Sequence, residues 1–480
     1  MATTNSLRAL LDLKVPELLS PTPVASAAGV CVIAGDPADA YYPTAPGYIP
    51  ELIVVNATTH YLYNHNEDAY VQIPSGTLTG TFGAGACGTF HPMGPTGTAS
   101  AGGASTITTQ TTLNRRLDGY VIRITGGTGA GQERTIASNT LGANSVVTVT
   151  SAWGTAPDAT STYVLITGRY YVWIPGTGSA FGWKYFDLAT MAWSSALTAN
   201  PGALASFGTD GRCVATAGAL TGTLATGTAT AGASTTLTDG GRAWGTNQWS
   251  NMQVRITTGT GRGQVRTISS NTGTVLTVSA AWTTTPDATS VYIIEGNDDH
   301  IFLMGNANVA LYRYSISGNA WTTLSPGVAR AGAPGAGASL IHILASDSVW
   351  TTEGANLKGR YLYSLRGGGA SAIDVYDIAA NSWSAITYGP AQETFTTGTS
   401  GGYDGNSRIY LQKDATNRWF YFDVVRQELR PWATVPLTQG AALVGDRTWA
   451  EEYRDGATTL RWIYHWMNTS STLYRTLVIA

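Results

Sequence analysis

The sequence predicts an all-β chain: a β-propeller of about six blades carrying two inserted, homologous small β-sandwich or barrel domains. Three observations lead there. A stretch of roughly 70 residues occurs twice in weakly identical form. Outside the two copies, aromatic pairs return seven residues apart. The composition, with 57 glycines and only 12% charged residues, suits short strands and turns rather than surface helices. At 480 residues the chain exceeds what one simple core supports, which also favours a repeat architecture.

Taken in order, residues 1–28 read as an N-terminal arm. Leu7, Leu10, Leu11, Leu13, Leu18 and Leu19 alternate with polar positions, so the spacing predicts one short amphipathic helix over 6–19, ended by Pro16. Such a helix packs on the protein's own body or docks on a neighbouring subunit. In the second case Leu7, Leu10 and Leu11 are the partner contacts.

The duplicated modules occupy 97–168 and 223–296. GTASAGGAST from Gly97 answers GTATAGAST from Gly227, GAGQERTI from Gly129 answers GRGQVRTI from Gly261, and PDATSTYVLI from Pro157 answers PDATSVYIIE from Pro286. Three separated anchors at offsets of 130, 132 and 129 residues mark a true duplication. Alternating runs such as YVIRIT from Tyr120 and SVVTVT from Ser145 predict half-buried strands between glycine turns. Entry and exit of each module must lie close together, as an insertion requires.

The propeller is then discontinuous, over 29–96, 169–222 and 297–480. Tyr63 and Tyr70, Phe186 and Trp193, Tyr314 and Trp321, and Tyr376 and Trp383 are each seven apart, and Phe422 to Trp432 repeats the theme with three extra residues. Turn formers lie between the aromatics, and an apolar run such as IFLM from Ile301 or YLYSL from Tyr361 precedes them, so each unit reads as several strands. Blades are expected to begin near Ile53, Tyr163, His300, Arg360, Arg408 and Arg461, with the C-terminal YRTLVIA pairing with GVCVIAG from Gly29 to close the ring.

RYLYSLRGGGASAIDVYDIAANSWSAI, from Arg360, resembles the blade of kelch-type propellers, in which glycines precede an aromatic and a Trp follows about seven residues later. Gly367, Gly368 and Gly369 supply the glycines. The other blades depart from the pattern: Gly305 stands alone, and Tyr70 replaces the Trp. The GQxRTI and PDATSxY sequences of the modules resemble a module of bacteriophage virion proteins, especially of tails and their appendages. That resemblance implies a structural virion role.

The search for chemistry is less productive. GTGAGQ and GTGRGQ lack the Lys-Ser/Thr of a phosphate-binding loop and precede strands, so they read as hairpin turns. Arg134 and Arg266 are expected to clamp the turns at Asp158 and Asp287. Asp298, Asp299 and His300, and His60, His65, Glu67 and Asp68, are clusters of potential ligands, but neighbours on a strand face opposite ways, so both read as turns. His91, His342 and His465 are isolated. Cys31, Cys87 and Cys213 offer neither zinc nor disulfide spacing and read as buried thiols. Glu353, Asp374, Glu393, Glu451 and Glu452 are the carboxylates from which a glycosidase pair would be drawn. Trp244 and Trp249 occur only in the second module and are the candidate ligand-contact aromatics.

A net charge of −3 provides no basic footprint for nucleic acid, and no apolar run is long enough for a membrane span. No signal peptide is recognised at the start. The expectation is a non-enzymatic structural protein of a phage tail (nozzle, hub, baseplate or fibre attachment), made in the bacterial cytoplasm. It would use no cofactor or metal, and its partners would be other virion proteins and copies of itself. The alternative is a receptor-recognition protein binding host-surface glycan; a polysaccharide-degrading enzyme comes last.

Overall fold

A computed structural model describes residues 17–18, 31–33, 51–56, 59–64, 68–73, 87–174, 182–195, 197–198, 212–216, 223–296, 299–305, 308–342, 361–388, 393–396, 399–403, 408–413, 416, 418–424, 426–434, 447–455, 458–466 and 473–478. Among these every regular element is a β-strand and all pairings are antiparallel. Strands are numbered in chain order, beginning with β1 (Glu17–Leu18).

The first four-stranded meander is β2 (Cys31–Ile33), β3 (Glu51–Asn56), β4 (Thr59–Asn64) and β5 (Ala69–Ile73). The second begins with β6 (Cys87–Gly103), whose far half runs into the first module. There it joins β7 (Thr106–Thr109), β8 (Val121–Gly126), β9 (Glu133–Asn139) and β10 (Val146–Val149). β11 (Thr162–Ile174) brings the chain back, and β12 (Gly182–Asp187) and β13 (Ala192–Trp193) complete the sheet in the order β13-β12-β11-β6.

The third sheet repeats this plan. After β14 (Arg212–Thr216), the second module comprises β15 (Thr223–Thr228), β16 (Ala231–Ala233), β17 (Thr236–Thr238), β18 (Gln253–Thr258), β19 (Val265–Asn271), β20 (Val275–Val278) and β21 (Val291–Glu295). β22 (His300–Gly305), β23 (Leu311–Ser315) and β24 (Ala320–Thr323) then extend from β14. The fourth sheet is β25 (Ile341–His342), β26 (Tyr361–Leu365), β27 (Ala372–Asp377) and β28 (Ser382–Thr387). The fifth is β29 (Ser400–Tyr403), β30 (Arg408–Gln412), β31 (Arg418–Asp423) and β32 (Glu428–Thr434). The last is β33 (Arg447–Asp455), β34 (Thr458–Trp466) and β35 (Leu473–Val478), with β1 as its fourth strand. Each expected blade start falls on or beside the second strand of one of these sheets.

Two expectations about the termini change. The helix over 6–19 lies mostly outside the described residues, as do Leu7, Leu10 and Leu11, and its end, Glu17–Leu18, is strand. The partner of YRTLVIA is β1, not Cys31–Ile33. Those residues are already engaged, because Cys31 pairs with Val54 in the first sheet.

The first module is a closed barrel, which decides between sandwich and barrel. Its ladder runs β11-β6-β7-β10-β9-β8 and returns to β11. Alternation builds its core: β7 and β10 each bury every second residue, placing Ile107, Val147 and Val149 inside with Leu113, Leu117, Ile122, Ile124 and Trp153. In the second module the first strand is interrupted between β15 and β16, yet Ala229 N–H still donates to Ser290 O and Thr230 N–H to Thr238 O, so the same course is kept.

The chain divides into two compact units, Met1–Ala199 with Trp449–Ile479, and Asn200–Thr448 with Ala480, each holding one module. In the second unit β22 and β23 are buried on both faces. Their Phe302, Met304 and Leu311 share one core with the module's Trp249, Met252 and Trp282.

Candidate functional site

The aromatic spacing of seven is the geometry of a hairpin. Tyr63 lies directly opposite Tyr70, Phe186 opposite Trp193, Tyr314 opposite Trp321 and Tyr376 opposite Trp383, across the third and fourth strands of their sheets, with ring centroids 4.7, 5.4, 5.0 and 5.2 Å apart. Such cross-strand pairs hold a sheet together. The fifth pair is corrected: Phe422 faces Leu429, again seven residues on, while Trp432 packs on Tyr410 and Trp419. The period holds and the residue type changes.

Each of these turns passes through one residue with positive φ at the fifth position after the aromatic: Asp68, Met191, Asn319, Asn381 and Gln427. Asn and Asp tolerate that conformation best. The hydroxyls of Tyr63, Tyr314 and Tyr376 donate to the side-chain oxygens of Asp68, Asn319 and Asn381 at 2.9, 2.8 and 2.7 Å. Where the aromatic is Phe, the turn residue is Met191 or Gln427.

In the modules, Gln132 and Gln264 are hubs. Gln132 Nε2 donates to Gly129 O (3.0 Å) and Thr155 O (2.8 Å), and its Oε1 accepts from the N–H groups of Gly154 (2.6 Å) and Thr155 (3.2 Å). Gln264 repeats this on Gly261, Thr283 and Thr284. The glycine hairpin is thereby tied to the loop after the Trp. Gly127 and Gly259 have positive φ, and a Cβ there would collide with the carbonyls of Thr160 and Thr289.

Asp158 and Asp287 cap the PDATS turn. Hydrogen bonds from the side chains and N–H groups of Thr160 and Thr289 hold both carboxyls below the usual range. Arg134 and Arg266 are internal clamps, but not on these aspartates: they donate to Ala152 O and Ala281 O and lie over Trp153 and Trp282 at 5.6 and 5.5 Å. The sequence pointed to the nearest acid; the structure uses a carbonyl and a ring.

Both barrels have one end docked and the other exposed. In the first, Asn114 N–H donates to Ala189 O and Asn114 Nδ2 to Thr190 O, in the turn of the module's own sheet. In the second, Gln248 Nε2 donates at 2.7 Å to Ala379 O, in the turn of the following sheet. Arg313 of β23 donates to the carbonyls of Asn247, Gln248 and Ser250. Burial pushes its guanidinium down to about 10.

Trp244 and Trp249 belong to this docked end. Trp249 N–H donates to Asn271 Oδ1 as Leu117 N–H does to Asn139 Oδ1, and Trp244 N–H to Gly273 O as Leu113 N–H does to Gly142 O. The tryptophans occupy the places of two core leucines. Trp249 is 1% exposed, and Trp244 is half-buried edge-on to it and to Tyr292. An insertion between the copies hid this equivalence from the sequence.

Two of the candidate carboxylates, Asp374 and Glu393, are likewise engaged. Asp374 is buried between Arg330 (2.6 Å) and Arg366, and Ser364 Oγ accepts from Arg330. Glu393 meets Lys413 and Arg418 at 2.7 Å each; burial would raise its carboxyl, and these cations hold it below the usual range. Asp299 accepts from Ser315 Oγ and from Ser317, fastening the β23–β24 turn, although burial raises its carboxyl. Glu353, Asp298, His65 and Glu67 lie outside the described residues. No group of three or more His, Cys, Asp or Glu among the described residues is placed to hold a metal, and no helix is long and apolar enough to cross a membrane. Cys87 is buried.

The glycines expected to mark a kelch-like blade have a specific task. Gly367, Gly368 and Gly369 all have positive φ, and a Cβ on Gly367 would collide with Ala336 O. Gly368 N–H donates to that same carbonyl, at 2.7 Å, so the glycine loop and the 335–338 loop interlock. No family model matches this chain, and no curated protein is similar to it.

Proposed function

We propose that this chain is a structural component of a bacteriophage virion, most simply of its tail, in which the six four-stranded sheets are the blades of a kelch-like propeller and the two barrels project from it. The observation that carries the reading is the pair of GQxRTI and PDATSxY barrels, which resemble modules of phage virion proteins and are mounted at the same point of two sheets. Polar side chains that a catalytic reading would recruit are committed to internal bonding: Asp374 to two arginines, Glu393 to a lysine and an arginine. Trp244 and Trp249, the aromatics named for the glycan-recognition alternative, pack at the docked end, which favours the structural reading.

Low charge suits surfaces that become permanently buried between subunits. On this reading the protein works by shape, with copies of itself and other virion proteins as neighbours. Quantitative mass spectrometry of purified particles from the encoding phage tests the reading. Peptides at a fixed ratio of about 3, 6 or 12 copies per particle, as closed rings dictate, are the expected result, and absence from particles overturns it.

A further inference from the structure

We infer that the first barrel is a hinged arm: it swings as one body about the point where β6 and β11 leave the second sheet, and Asn114 latches it to that sheet. The hinge is written into the two strands. Between sheet and barrel their ladder changes register twice, from Arg169 to Ile166 and again from Ile166 to Val164, so first β11 and then β6 carries an unmatched residue. Pro92 and Pro95 fall in the same stretch of β6 and have no N–H to give to a neighbouring strand. On β11 Gly168 has a φ of +101°, and Gly94 lies so close to Thr167 that a Cβ there would collide with its Oγ1. That hydroxyl is buried and, among the described residues, has no hydrogen-bond partner. Two bulges, two missing donors and a stranded hydroxyl make a junction of low local stability, where the φ/ψ change of a hinge is absorbed most easily.

The arm itself is stiff, because its ladder closes on itself around its own core. Its docked end is wet. Asn114 N–H donates to Ala189 O at 3.0 Å and Asn114 Nδ2 to Thr190 O at 2.7 Å, while Gln110, Thr112, Asn114, Arg116 and Asp118 around this contact are exposed to solvent. The matching end of the second barrel differs: Gln248, Trp249 and Ser250 are buried there, and Arg313 holds three of its carbonyls. The two barrels share one plan, and this difference in burial marks the first as the one free to move. Water replaces the latch bonds at little cost, since the groups that make them already face it. Release bares the carbonyls of Ala189 and Thr190 and re-aims the free end with its GTGAGQ and PDATS loops. The inference stands whether or not the protein belongs to a virion.

The test uses the full chain with azidophenylalanine, coupled to a nitroxide, in place of Ala130 in the free end and of Ser195 beside the sheet. Both positions are exposed, and Arg262 at the place of Ala130 shows that a long side chain is tolerated there. Pulsed electron–electron resonance reads the distance between the two labels. Two populations are expected, and Asn114→Ala should raise the minor one about fivefold, the worth of one hydrogen bond. Asn114→Cys with Thr190→Cys, whose backbones meet at the latch, should form a disulfide that leaves one population, and reduction should restore the second. Hydrogen exchange at Val147, in the core of the arm, should be alike in all these chains, which separates swinging from unfolding. A single distance unmoved by Asn114→Ala and by reduction of the disulfide overturns the hinge. Failure of the disulfide to form overturns the latch, and faster exchange at Val147 in step with the second population overturns motion as one body.

Discussion

A tyrosine and an Asx residue five positions later recur in this chain as a matched pair, and the match is chemical. In the hairpins of Tyr63, Tyr314 and Tyr376 the left-handed turn residue receives the phenol's proton; in those of Phe186 and Phe422 no hydroxyl needs an acceptor, and Met191 or Gln427 takes the turn. Asn319→Ala should therefore cost about 1–3 kcal/mol, from a strained backbone and a stranded hydroxyl together. Tyr314→Phe with Asn319→Gly should cost far less, and chemical denaturation of the two variants measures the difference. A second expectation concerns acid. Asp158, Asp287 and Glu393 have folded-state carboxyls below their unfolded values, so their contribution is complete above the unfolded value near 4 and is lost as pH falls through the folded one. The unfolding midpoint should drop between about pH 4 and 2. Asp158→Asn with Asp287→Asn should flatten that limb, a change that thermal melts across the pH range would register. At this scale the sequence made the seven-residue period legible but not its meaning at Phe422, because a search for a second aromatic passes over Leu429. Arg134 and Arg266 were legible as clamps, while their carbonyl and ring partners were not, since backbone acceptors leave no mark in sequence.

Among the elements, the two barrels differ in how far they depend on their surroundings. The first closes its own core, to which, among the described residues, the chain outside the module adds Ala189 alone. The second shares its core with Phe302, Leu324, Tyr376 and Trp383, and is gripped by Arg313. Residues 95–168 expressed alone should fold cooperatively, whereas residues 222–297 should yield a loosely packed chain that binds hydrophobic dyes; circular dichroism and dye fluorescence distinguish them. Arg313→Met in the full chain removes three charge-assisted hydrogen bonds and should destabilise the second unit by about 2–4 kcal/mol. Hydrogen exchange in the first barrel should not change. Strand periodicity made both modules visible in the sequence. The docked ends were not visible, for two reasons: LNRRLDGY and WGTNQWSNM differ in length, and their partners lie in distant parts of the chain. The free ends kept GTGxGQ and PDATS because those residues bond to one another. At exposed positions whose side chains make no such bond the copies diverge, as at Ala130 and Arg262 or Ala156 and Thr285.

For the whole molecule, the division into two compact units predicts more than one unfolding event. Scanning calorimetry should show a van't Hoff enthalpy smaller than the calorimetric one, and a single transition with equal enthalpies would contradict it. The all-β class and the succession of four-stranded sheets were legible because turn residues and aromatic pairs recur along the chain. The role of β1 was not, since two residues show no period and leucine spacing over 6–19 suggests a helix. The module offsets of 129–132 residues also carry a wider consequence. Phe186 and Tyr314, which hold equivalent places in the two host sheets, are separated by 128 residues, nearly the same interval. The repeating unit is thus a cassette, sheet and barrel together, with the barrel lodged between first and second strands. The two barrels dock on different turns. Lineages that lose or gain such a cassette would change by about 130 residues in one step and keep every remaining strand in register.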